Sequence, residues 1–256
     1  MAGDFPDGAT IVFGGSGGIG RVVALEFARA GSAVAVCYRS KHDVAEATAQ
    51  AIRATGVEAS VHQVDVRDPT AVRHAVAEAA GAHGRLHTMV WGAGPLVGQD
   101  RIADWSIDQH RNAMEIEAFG FFHAAQALIP HMRAQGGGSF VHLGSAGHDW
   151  FPKLDGLSVV PKASNEALIK GIAKEEGVNE IRANSVLVGV IDAGMFHELS
   201  EAGAFDQAWI DETRKLLALK RWGKPEDVGQ AAVFLASARA SYVTGQVISV
   251  SGGFGV

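Results

Sequence analysis

Residues 14 to 20 read Gly-Gly-Ser-Gly-Gly-Ile-Gly, between a β-branched run, Ala9 to Gly14, and an amphipathic run, Arg21 to Ala30. A strand that turns at once into a helix through glycines makes a β-α unit with a special property. Its first helical amides carry no side chains in front of them, so a pyrophosphate can approach closely, and the helix dipole favours its charge. The flanking strand and helix separate this pattern from an ordinary flexible loop. Gly14, Ser16, Gly18, Ile19 and Gly20 are therefore candidate phosphate contacts.

The same rhythm continues down the chain. Short apolar runs recur at Ala33 to Tyr38, Glu58 to Asp65, Leu86 to Gly92, Ser139 to Gly144, Ile181 to Val188 and Gln246 to Val250, giving about seven strands with the first. Between them, segments such as Val44 to Ala54 and Ala71 to Ala82 carry apolar residues at helical spacing. Alternation of this kind implies parallel strands joined by right-handed crossovers: an α/β, doubly wound, Rossmann-type sheet with helices on both faces. At 256 residues the chain fits one such domain, spanning 1 to 256. Gly136 to Gly138 reads as a tight turn into a strand, not a linker. Gly194 to Lys220 breaks the rhythm, with Phe196, Phe205 and Trp209 among acidic residues. After a late strand of such a sheet, an insertion of this kind is expected to be a substrate lid at about 194 to 220.

Charge and cysteine usage exclude several functions. A formal charge of −6, with 22 Lys and Arg scattered along the chain, gives no footprint for nucleic acid. No apolar stretch approaches the roughly 18 residues of a membrane span. Cys37 has no partner for a disulfide, and the opening MAGDFPDGAT has no basic segment before an apolar run, so a cytoplasmic location is expected. No metal is expected. The partner is a small molecule.

After the second strand come Tyr38-Arg39-Ser40. An acidic residue there would hold the ribose diol of NAD, whereas an arginine beside a hydroxyl can clamp the extra phosphate of NADP. NADP is the expected cofactor, ahead of NAD. The alternative for Arg39 is a solvated loop side chain.

The spacing Gly14, Gly18, Gly20 resembles the T-G-x-x-x-G-x-G pattern of the short-chain dehydrogenase/reductase family, and other landmarks fall in register. Asp65-Val66 looks like that family's adenine-contacting pair, and Trp91-Gly92-Ala93-Gly94 stands in its N-N-A-G place. Ile181 to Val186 resembles its I-R-V-N-x-V strand, Gly189-Val190-Ile191-Asp192 its nicotinamide-side loop, and Tyr242 to Gln246 with Gly252-Gly253 its C-terminal signals. The resemblance implies that Val66, Gly92, Ala93, Gly94, Gly189 and Ile191 join the cofactor site. It also implies a homo-oligomer, most often a tetramer, pairing the long helices Asp104 to Met132 and Ser158 to Glu176.

The resemblance breaks at the chemistry. The family's apparatus is Asn, Ser, Tyr and Lys; Ser145 and Lys162 stand in the Ser and Lys places, Glu117 in the Asn place and Ser158 in the tyrosine place. Only Tyr38 and Tyr242 occur in the chain, so no shifted tyrosine substitutes. A phenol lowered by a nearby lysine suits proton transfer at a carbonyl oxygen, whereas serine is far less acidic. The pair Ser158 and Lys162 with an acidic residue before Gly-x-Phe also resembles the dienoyl-CoA reductases, where hydride goes to carbon and charge develops on a thioester oxygen. That branch carries a further tyrosine where Gly147 stands here; the adjacent His148 is a candidate replacement acid.

The residues also have plainer readings. Lys162 serves the nicotinamide ribose alone, Ser145 satisfies backbone at a strand end, Glu117 holds a water or Lys162, His148 is a surface loop residue, and Trp150 and Phe151 are pocket wall. Three functions follow. The first is an NADP(H)-dependent reductase of an activated C=C or a C=O, with Ser145 and Ser158 as oxyanion donors. The second is a cofactor-binding protein without turnover, acting as regulator or scaffold. The third is non-redox proton chemistry with Glu117 or His148 as base.

Overall fold

The computed structural model describes residues 4–256. Seven strands form one parallel sheet in the order β3-β2-β1-β4-β5-β6-β7. They are β1 Ala9–Phe13, β2 Ala33–Tyr38, β3 Ala59–Gln63, β4 Leu86–Trp91, β5 Gly138–Ser145, β6 Ile181–Val188 and β7 Val247–Val250. The helices are α1 Gly18–Arg29, α2 His42–Arg53, α3 Pro69–His83, α4 Ile107–Met114, α5 Gly120–Ala134, α6 Gly156–Glu176, α7 Met195–Glu201, α8 Gln207–Leu216 and α9 Pro225–Ala236. The chain winds from β1 outward to β3 and then restarts on the other side of β1 at β4. This reversal opens a crevice at the carboxyl ends of β1 and β4, the usual ligand position in such sheets.

The strands read as continuous apolar runs because both faces are covered. Alternate residues serve opposite cores. Ile11, Phe13, Met89, Trp91 and Phe140 pack with α3, α5 and α6 through residues such as Val72, Phe121, Leu128 and Ile169. Val12, Val90, Val141 and Val186 pack with α1, α2 and α9 through Val23, Phe27, Ile52, Val228 and Leu235. Arg182 ties the end of α9 to the sheet: its guanidinium donates to the carbonyls of Leu235 at 2.6 Å, Ala236 at 2.9 Å, and Ser237 and Val243 at 3.2 Å. The first three of these carbonyls, at the end of α9, have no helical donor of their own, which makes a cation there favourable.

Element ends shift by up to three residues from the sequence expectation, most at the start of α1. The long helix expected from Asp104 to Met132 runs from Ile107 to Ala134 and carries one π-helical turn. α4 starts at a Ser106–Gln109 capping box, and a π-helical turn, Glu115–Phe119, separates it from α5. Gly120 follows this turn because a Cβ there would fall 2.8 Å from Val66 Cγ2 and 2.9 Å from Trp91 Cη2. Among the described residues no helix is long and apolar enough to cross a membrane, and no three His, Cys, Asp or Glu side chains are grouped to hold a metal ion.

Candidate active site

A cleft of about 1130 Å³ runs along the carboxyl ends of the strands. At one end lies the glycine turn. Gly14 has φ +83°, and a Cβ on it would fall 2.5 Å from Gly92 O; one on Gly20 would run into Gly14 O. The turn therefore closes on itself only with glycines. Gly17 caps α1 without a side-chain hydrogen bond, which leaves the first-turn amides facing the cleft for an anion. Gly14, Ser16, Gly18, Ile19 and Gly20 all line it, as do Val66, Gly92, Ala93, Gly94, Gly189 and Ile191. This bare backbone cradle fits a dinucleotide pyrophosphate.

Beyond β2 the wall is Tyr38, Arg39, Ser40 and Lys41. Arg39 and Ser40 are exposed, and Lys41 stands 3.6 Å from Glu198 of α7, an ion pair across the mouth. Asp65 is not on the wall, contrary to expectation; Val64 and Val66 are. Its carboxylate accepts from the backbone N–H of Arg67 at 3.1 Å and from Arg67 Nε at 2.9 Å. The Arg67 guanidinium beside it holds Asp65 below the usual carboxylate range.

At the other end, Ser145, Ser158, Lys162 and Glu117 line the same cleft. Ser145 ends β5 and its Oγ accepts from Gly147 N at 3.1 Å. Ser158 and Lys162 share one face of α6, being one helical turn apart. The π-helical turn swings Glu117 inward, where it is 1% exposed. Lys162 Nζ donates to its Oε2 at 2.7 Å, and Trp91 Nε1 to its Oε1 at 3.0 Å. Burial by itself would raise the Glu117 pKa, but the Lys162 charge and the His142 ring outweigh it and hold the carboxyl below its ordinary range. The site thus pairs the Glu117 carboxylate with the Lys162 side chain where the cleft meets the core.

One sequence candidate for the chemistry is not brought in. His148 is exposed on the turn after β5 and does not line the cleft, whose wall there is Ser145, Ala146 and Gly147. The turn points its side chain to solvent. Neither tyrosine replaces Ser158: Tyr242 is fully exposed, and Tyr38 is on β2, separated from β5 by β1 and β4, with its ring 5.5 Å from His42.

Four residues missed by sequence reasoning belong to this end. Asp155 is the N-cap of α6, yet its side chain caps nothing; it lines the cleft and accepts from Gln99 Nε2 at 3.0 Å. Burial pushes its pKa up. Behind Glu117, His142 Nδ1 lies 2.8 Å from Glu166 Oε1, and Asn165 Nδ2 donates to Glu117 O at 3.1 Å. Burial would lower the His142 pKa, but the two carboxylates outweigh it and hold the imidazole above its ordinary value. A histidine inside an apolar strand, and a glutamate one turn after Lys162, were the available signals.

The segment after β6 carries an aromatic cluster against this end. Phe205 and Trp209 stack with centroids 3.9 Å apart, and Phe196 stands 5.7 Å from Phe205 and 5.5 Å from Trp222. Trp150 packs on Phe254 at 5.1 Å. All of these except Trp222 line the cleft.

The chain is similar in sequence and fold to known proteins. A family model described as Enoyl-(Acyl carrier protein) reductase matches residues 14–255. The 3-oxoacyl-[acyl-carrier-protein] reductase of Staphylococcus epidermidis is 31% identical over 245 residues, 96% of this chain and 98% of that protein. A short-chain type dehydrogenase/reductase from Mycobacterium ulcerans superposes with a TM-score of 0.91 at 29% identity, over 98% of this chain and 90% of that one. A 7α-hydroxysteroid dehydrogenase solved with NADH and 7-oxo glycochenodeoxycholic acid gives 0.88 at 27% identity, over 96% and 94%.

Proposed function

The chain belongs to the short-chain dehydrogenase/reductase family of oxidoreductases, and from that premise we propose that it is an NADP(H)-dependent reductase of an activated C=C or C=O bond. One observation carries the reading. A single cleft takes the uncapped glycine turn at one end and Lys162 with Ser145 and Ser158 at the other. Reduced nicotinamide, when bound, supplies a hydride to an electrophilic carbon. Ser145 and Ser158 hold the substrate oxygen on which charge develops, as hydrogen-bond donors in a site partly closed from water. Lys162, paired with Glu117 at 2.7 Å, anchors the cofactor and holds the mobile proton nearest that oxygen.

NADP is the preferred cofactor because Arg39, Ser40 and Lys41 line the adenosine end and none is acidic. The segment 194–220 acts as the lid. Its aromatic wall of Phe196, Phe205 and Trp209 suits an apolar substrate. The likeness to 3-oxoacyl carrier-protein reductases supports a C=O as substrate, and that to enoyl carrier-protein reductases a conjugated thioester or enone, whose reduction leaves charge on an oxygen that donors alone can stabilise. The tyrosine missing at Ser158 favours that class over simple ketones, because a phenol titrates near about 10 and a serine hydroxyl much higher. The same absence favours one rival, a cofactor-binding protein without turnover.

Oxidation of NADPH across ketones, enones and enoyl thioesters tests the reading, with Ser158→Tyr alongside. The wild type is expected to turn over an enone or enoyl thioester. Lys162→Ala and Ser145→Ala are each expected to slow it by at least about tenfold, equivalent to roughly 1.4 kcal/mol. Ser158→Tyr should raise ketone reduction and leave enone reduction unaided. NADPH binding without oxidation of any substrate, with ketone reduction awakened only by Ser158→Tyr, establishes the rival.

A further inference from the structure

Lys162 is the cleft end of a line of ionisable groups that runs into the core. Lys162 Nζ lies 2.7 Å from Glu117 Oε2, Glu117 Oε1 is 3.8 Å from His142 Nε2, and His142 Nδ1 is 2.8 Å from Glu166 Oε1. The charges alternate in sign. His142 is fully buried, and Glu117 and Glu166 are nearly so. Burying three such groups is costly, and well-packed apolar residues would hold α6 to β5 at least as well. The fold also reserves room for them: a Cβ on Gly94 would fall 2.7 Å from Glu117 Oε2, and one on Gly144 would run into Glu166 Oε1.

We propose that Glu166, His142 and Glu117 form a buried proton relay in which His142 resupplies Lys162 through Glu117 while Glu166 holds the ring. The proposal rests on the reductase reading for its use and on these distances for its path. The His142 ring has two ways to be satisfied. With Nε2 unprotonated it can accept from Asn165 Nδ2, 3.4 Å away; with Nε2 protonated its N–H faces Glu117 Oε1. In both states Nδ1–H stays on Glu166. The 3.8 Å step exceeds a hydrogen bond, so transfer needs the carboxylate or ring to close by about 1 Å. When Lys162 gives a proton to the substrate, its N–H breaks and an O–H or C–H forms. One proton then leaves His142 Nε2 for Glu117, and Glu117 passes one to Lys162. With Nδ1–H held by Glu166, the Nε2 proton returns along the same path, from water in the cleft through Lys162 and Glu117. The net change is one proton taken from water.

The groups facing this line come from every element around it. Trp91 on β4 donates to Glu117, and Asn165 and Lys162 stand on α6. Phe121 on α5 meets the His142 ring edge-on at 5.7 Å, Ser185 on β6 is beside Glu166, and Asp155 at the N-cap of α6 faces Lys162. His142 and Glu166 touch no substrate. They are positioning residues that act through Glu117 and Lys162.

Two measurements need no substrate. In the full chain labelled with ¹⁵N-histidine, NMR titration is expected to find His142 doubly protonated at neutral pH. Glu166→Gln should lower its midpoint and Lys162→Met should raise it, each by about one unit or more. A His142 that stays neutral through this range overturns the proposal. Calorimetry of NADP⁺ binding, in buffers of different ionisation enthalpy, is expected to find protons released by the wild type and less than half as many by His142→Gln or Glu166→Gln. Equal release by wild type and both variants also overturns it. If NADP⁺ does not bind, the cofactor reading fails while the wild-type titration still decides the relay; the same titration serves if a variant does not fold.

Discussion

Glu117 and Asp155 face the same lysine and burial raises both, yet their pKa values end on opposite sides of the ordinary carboxylate range. Glu117 is held below the usual carboxylate range by Lys162 and His142, so its contribution to stability is present above the unfolded carboxyl pKa and is lost as pH falls through the folded one. Asp155 is pushed up by burial, so it favours the fold at low pH and costs stability as pH rises past its unfolded value. Urea unfolding near neutral pH should therefore find Glu117→Gln destabilised by about 3–5 kcal/mol, the usual result of breaking a buried pair. Asp155→Asn should be as stable as wild type or more so, with its advantage disappearing in acid. At the adenosine end, Arg39→Ala should weaken NADP⁺ by at least about tenfold while leaving NAD⁺ nearly unchanged, because only NADP⁺ offers the phosphate for a charge-assisted clamp. Equal losses in a binding titration would remove the NADP preference.

Elements decide which of these residues meet. The π-helical turn Glu115–Phe119 inserts an extra residue between α4 and α5, and this aims Glu117 at Trp91 and Lys162. α6 then offers Ser158, Lys162 and Glu166 at helical spacing, the first two to the cleft and the third to His142. α7 and α8 are held differently. Their link is the stack of Phe196, Phe205 and Trp209, and α8 has no buried residue. Aromatic pairs contribute about 0.5–1.5 kcal/mol each. Trp209→Ala should therefore speed proteolytic cleavage between residues 203 and 217 several-fold while shifting the melting temperature little. Protection of that segment by NADP⁺ would tie it to the cleft; cleavage unaffected by either change would argue against a lid.

For the whole molecule, the surface left apolar is informative. Ile107, Phe119 and Phe122, on α4, the π-helical turn and α5, are 77%, 54% and 42% exposed. These are large side chains along one continuous helical stretch, and covering them against a second copy would bury them by a two-fold contact. A tetramer is the expected mass in sedimentation at micromolar concentration. Phe122→Lys should shift it toward smaller species, and a monomeric wild type would refute the assembly.

Much of this protein was legible from local chemistry. The glycine turn, the βα rhythm, the seven strands and the places of Ser145, Ser158 and Lys162 depend on residues close in sequence, where side-chain period and backbone freedom act directly. The segment 194–220 could be seen to break the rhythm for the same reason. Asp65 and His148 show the limit: motif position suggested a contact, but a guanidinium two residues away captured one carboxylate and a short turn left the other side chain in solvent. Glu117 was visible as an acid, but not as a partner of Trp91 and His142. His142 and Glu166 read as one polar residue in a strand and one on a helix, 24 positions apart. Only the crossover that lays α6 over β5 puts them 2.8 Å apart, and only burial in that interface makes their charges depend on each other. Long-range electrostatics of this kind follows from tertiary packing, because it is set by distance and desolvation, which no local spacing encodes.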